Sequence, residues 1–209
     1  MIRGIRFFER EERINLLTLF IMLILLSAYF WLLLPESIFA ETGLGPLVMS
    51  FILFMVTLVM MSDVIQSFAK RYAMMISGGI LRRDVARCQL LQEIVYPIFY
   101  LLVTVLYGYI MKLEVTPAKA MTYLGIFYMG AAAGNLLSIL TNKFGRTAYI
   151  IFVIMIAFAG AFFGGRSVGS GAFDFPSLNM PVLLVAGLVL LAISAIPLYK
   201  TIMNFEVRS

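Results

Sequence analysis

The sequence predicts an all-α membrane protein with six transmembrane helices, an N-terminal interfacial amphipathic helix and a short cytoplasmic helix between spans 2 and 3. Three observations predict it. Of the 209 residues, 62% are hydrophobic and only 13% are charged. A soluble domain carries about 25% charged residues, and in water this composition would leave large apolar patches exposed. The apolar residues gather in six runs, each near the ~20 residues that cross ~30 Å of hydrocarbon. The basic residues between those runs alternate in density from one connection to the next.

The chain opens on MIRGIRFFEREER. At 100° per residue, Arg3, Arg6, Arg10 and Arg13 fall within an arc of roughly 80°, with Ile2, Ile5 and Phe8 on another face. Residues 1–13 therefore fit a helix lying in the inner interface, its arginines on lipid phosphate, in preference to a plain charged flank. The stretch is charged throughout and lacks a small-residue cleavage site, unlike a cleaved signal peptide.

Spans are expected at about residues 14–34, 44–65, 90–111, 120–140, 148–163 and 180–198. They use up the length, so residues 1–209 are expected to form a single polytopic domain with no separate soluble module. Arg3, Arg6, Arg10 and Arg13 precede span 1, and Lys70, Arg71, Arg82, Arg83 and Arg87 lie between spans 2 and 3. Lys143 and Arg146 lie between spans 4 and 5, and Lys200 and Arg208 follow span 6. These are all but three of the 16 basic residues; Lys112, Lys119 and Arg166 fall on the opposite side. The positive-inside rule then puts both termini in the cytoplasm, as six crossings require. Tyr29 to Trp31 and Tyr107 with Tyr109 fall where aromatic rings favour the outer interface. Residues 164–179, rich in Gly and Ser, read as an outside loop.

The insert between spans 2 and 3, about residues 66–89, is the most distinctive stretch. Span 2 is expected to continue as QSFAKRYAMM until Ser77, Gly78 and Gly79 break it, since glycine accepts left-handed dihedrals cheaply. The stretch that follows has good helical propensity. Ile80 and Leu81 offer an apolar foot, and Arg82, Arg83 and Arg87 a basic side; Asp84, Val85 and Ala86 complete the first turns. The result is a short helix with a hydrophobic tip, suited to a ball-and-socket contact with a soluble partner. The plainer alternative is a solvated loop whose arginines set topology.

Within the spans polar residues are few. Asp63 and Glu93 flank the insert, and ion pairs that anchor it are preferred to an intramembrane proton relay. Asn135 is positioned to bond across helices. Gly130 with Gly134, and Gly160 with Gly164, are spaced for close helix packing. Pro97 and Pro197 are expected to kink spans 3 and 6. The chain has one cysteine, Cys88, and no histidine, so an internal disulfide is excluded and metal or Cys/His nucleophile chemistry lacks its usual side chains. No glycine loop followed by Lys and Ser/Thr is present to cradle a phosphate. No catalytic residue, metal or cofactor is therefore expected in this chain. The net charge of +5 sits at helix ends, which points to lipid headgroups rather than nucleic acid.

The insert resembles the cytoplasmic connection between spans 2 and 3 of the ABC-2 type permeases, the membrane subunits of one class of bacterial ATP-driven exporter. The likeness rests on Phe68, Tyr72, Gly79, Arg82, Arg83 and Asp84 followed by QLLQEIVYPIFYLLV. The six-span plan, the interfacial helix and the tight turn TNKFGRT fit as well; the motif itself covers about 20 residues of the chain. The resemblance implies a coupling helix at residues 77–86 that docks in a groove of a cytoplasmic ABC ATPase, which would hold ATP and Mg. It also implies a second permease subunit, identical or paralogous, and residence in the bacterial cell membrane. The cargo expected is hydrophobic or amphipathic, with short peptides of the phenol-soluble modulin or bacteriocin kind first, because 14 Met and 18 Phe give adaptable apolar walls. The outside loops are small beside those of longer members. The rival readings are an ATPase-independent secondary transporter or channel, and a non-transporting membrane scaffold or immunity protein.

Overall fold

The structure, a computed structural model, describes residues 52–61, 72–110, 115–145 and 180–204, together with Ile21, Ile65, Thr147 and Ile150. Arg3, Arg6, Arg10, Arg13, Asp63, Gly160 and Gly164 lie outside the described residues, as do all but single positions of the first and fifth expected spans. The described residues form helices and no strand. We label them α1 (Ile52–Met61), α2 (Tyr72–Ser77), α3 (Arg82–Ile110), α4 (Pro117–Phe144) and α5 (Met180–Met203).

Helices α3, α4 and α5 are each long and apolar enough to cross a membrane. With 29, 28 and 24 residues they extend about 43, 42 and 36 Å. Each exceeds the hydrocarbon thickness of ~30 Å, and the chain is on this evidence a membrane protein. Helix α4 starts on Pro117 behind Thr116, whose side chain accepts a hydrogen bond from the Lys119 amide. Proline suits that first position because its missing N–H would be unpaired there anyway. The helix stops at Gly145, φ +67°, whose amide bonds the Thr141 carbonyl.

Helix α3 runs opposite to its neighbours. Helices α4 and α5 pack most closely and run parallel: Gly125 abuts Leu183 and Gly187 near their starts, and Asn135 meets Ser194 further along. Arg82, Arg83 and Arg87 at the start of α3 share one end of the bundle with Lys143 and Lys200, while Lys119 stands at the other.

Among the described residues two apolar clusters form. The larger joins Ile52, Val56 and Met60 of α1 to Tyr100, Phe127, Tyr128 and Leu191. The smaller, near the basic end, joins Tyr72 and Met75 to Val85, Ala86, Cys88, Leu198 and Ile202. Cys88 is buried there. Of the tyrosines expected at the outer interface, Tyr29 lies outside the described residues, Tyr109 is exposed and Tyr107 is buried in the larger cluster.

Candidate functional site

The insert differs from the expected helix over residues 77–86. Ser77 is the last residue of α2, Gly78 and Gly79 form a turn, Ile80 and Leu81 link, and Arg82 opens the same continuous helix that forms span 3. Backbone caps explain the break. The Ile80 amide bonds the Met75 carbonyl and the Gly79 amide bonds that of Ile76, each at 3.0 Å. Gly79 holds φ +82°. This is a Schellman cap, in which glycine takes the left-handed residue and the carbonyls at the helix end are satisfied. Ile80 then packs back on the cluster that contains Met75. No second break follows Arg82, so the helical propensity of RRDVARCQ runs straight into the apolar span.

The result is a knuckle with three distinct parts. Its base is fixed, because Tyr72, Met75, Val85 and Ala86 are buried against α5. Its flank is fixed too: Arg82 Nη1 donates to the Met203 carbonyl at 3.2 Å, placing a cation on the C-terminus of α5. Its tip is bare. Leu81 is 70% exposed, and Arg83 and Arg87 are exposed beside it. The Leu81 carbonyl accepts the amides of Asp84 and Val85, so Leu81 is the N-cap of α3. Leucine is among the poorest residues at that position, since it offers no oxygen to the free amides. Asp84 in the first turn complements the helix dipole.

About 15 Å along each helix from this end lies a polar layer. Glu93, expected as an ion-pair anchor, meets amides and no arginine among the described residues. It is 4% exposed; its Oε1 accepts from Gln89 Nε2 at 3.1 Å and its Oε2 from Asn135 Nδ2 at 2.8 Å. Asn135 Nδ2 also reaches Ser194 Oγ at 3.2 Å, so one amide ties α3, α4 and α5 together. The expected cross-helix role of Asn135 is thus present, with Glu93 as its partner. Arg82, Arg83 and Arg87 are exposed in the first turns of α3, away from this layer. Gln92 Nε2 donates to Tyr96 Oη at 2.8 Å. A cavity of ≈ 20 Å³ opens against Gln89, Gln92, Glu93, Tyr96, Pro97 and Tyr100, large enough for a water molecule.

Both interior prolines belong to this level. Pro97 removes the amide that would pair with the Glu93 carbonyl, and Pro197 the one for Ile193, next to Ser194. Gly130 faces Thr57 of α1 closely enough that a Cβ would lie 2.5 Å from its Cγ2, and Gly134 is buried. Gly125 and Gly187, which the glycine spacing does not single out, instead bring the backbones of α4 and α5 together.

No family model, curated protein or solved structure matches the chain. Its function therefore has to be argued from the knuckle and the polar layer.

Proposed function

We propose that the chain is the membrane subunit of an ATP-driven exporter of the ABC-2 permease kind. In this reading the basic end of the bundle faces the cytoplasm, and an ATPase subunit seats the Leu81 tip in a groove with Arg83 and Arg87 at its rim. Two permease subunits pair, and the ATPases draw together when ATP binds. Hydrophobic or amphipathic cargo, short amphipathic peptides first, leaves between the two subunits.

The supporting observation is the construction of the knuckle. A push delivered at Leu81 meets no flexible joint: α2 is buried against the start of α3, and Arg82 ties that start to the end of α5. Axial movement of α3 is then passed to the polar layer. An exposed leucine at a helix N-cap neither caps nor packs within the chain, and a local rule broken without an internal gain marks a site kept for another purpose.

The test substitutes Leu81→Ser with Arg83→Glu, leaving Arg82 in place because its work is internal. ATPase activity that purifies with the wild-type chain should be lost from the variant, together with export, while the helical content stays unchanged. Equal ATPase recovery and equal export from both chains would remove the proposal.

A further inference from the structure

We propose that Glu93 is a reversible proton-binding site. The buried carboxyl has both oxygens occupied by neutral amides, and no basic side chain faces it among the described residues. Met60 of α1 shares its cavity, Asn135 of α4 bonds it with Ser194 of α5 behind, and the Tyr128 hydroxyl of α4 donates to the adjacent Ile94 carbonyl. On its own helix Tyr96 and Tyr100 share its cavity, and Arg82, Arg83 and Arg87 are exposed. An ionised carboxylate here carries an uncompensated charge out of water, and a proton removes that charge.

The surroundings are built for both forms. With their NH₂ groups on Glu93, Gln89 Oε1 and Asn135 Oδ1 remain buried acceptors without a donor. Turning the Gln89 amide over about its terminal bond exchanges its oxygen and nitrogen and leaves the Asn135 bond to Ser194 intact. A protonated Glu93 then donates its O–H to that oxygen, while the amide's NH₂ takes the position its oxygen held. Proton binding forms one O–H bond on Glu93 and breaks one O–H bond of the hydronium ion that delivers the proton, which leaves as water. The adjoining cavity has room for one water molecule beside the carboxyl.

A metal cation is the poorer occupant. The groups aimed at the carboxylate are N–H donors, which repel a cation, and no set of three acidic, Cys or His ligands exists among the described residues. The inference stands whether or not an ATPase docks at the knuckle.

The experiment is infrared difference spectroscopy on the full chain in lipid vesicles, titrated with pH at several Na⁺ and K⁺ concentrations. The expected result is a protonated-carboxyl C=O band that grows reversibly as pH falls and is lost in Glu93→Gln. In Asn135→Leu the band should persist with a displaced midpoint. If Glu93→Gln does not assemble, Glu93→Asp should keep the band and shift its frequency. Identical titrations in the wild type and the Glu93 variants would overturn the proposal. So would a band whose height at fixed pH follows Na⁺ or K⁺, which would make the site a cation site.

Discussion

Gly125 and Gly187 let α4 and α5 touch backbone to backbone. A Cβ on Gly125 would lie 2.7 Å from Leu183 backbone atoms, and one on Gly187 would lie 2.6 Å from the Gly125 carbonyl oxygen. Backbone cannot rotate away as a side chain can, so the helices must separate. Gly125→Ala and Gly187→Ala should each lower stability by about 1–3 kcal/mol, measured by denaturation in detergent. Leu81 predicts the opposite sign. Replacing an apolar N-cap with serine supplies the missing acceptor, so Leu81→Ser alone should raise the stability of the chain by about 1 kcal/mol while weakening partner binding. A fall in stability on that change would show that the exposed leucine packs inside the chain after all.

At the scale of elements, the junction of α2 and α3 rests on a single residue in the left-handed region. Gly79→Ala should cost about 1–2 kcal/mol from backbone strain alone, because its site is otherwise open and a methyl meets nothing within 4 Å. Arg82→Gln should leave α3 intact but release the end of α5, seen as faster hydrogen exchange near residues 200–203. The helices themselves were largely legible. Apolar runs at residues 90–111, 120–140 and 180–198 correspond to α3, α4 and α5, because twenty apolar residues leave the backbone no better way to satisfy its hydrogen bonds in lipid. The insert was less legible: charge density separates residues 82–89 from the span, yet hydrogen bonding does not. A helix ends where a cap ends it, and the cap here is at Gly79.

For the whole molecule, the parallel pairing of α4 and α5 and the Arg82–Met203 contact fix which ends lie together. A membrane-impermeant thiol reagent should therefore label Lys119→Cys from one side and Arg83→Cys and Asn204→Cys only from the other. Cys88 is buried and should give no background. Labelling of Lys119→Cys and Arg83→Cys from the same side would contradict the arrangement.

The sequence by itself determined the solvent and the helices, since hydropathy and length decide both without reference to neighbours. Tertiary structure alone decided the polar layer. Glu93, Asn135 and Ser194 are separated by 42 and 59 residues along the chain. Lipid and protein interior are equally apolar, so the outward and inward faces of these helices carry the same kind of residue and no hydrophobic pattern says which polar side chains will meet. Only the packing of α3 against α4 and α5 brings one carboxyl and its amides to the same level.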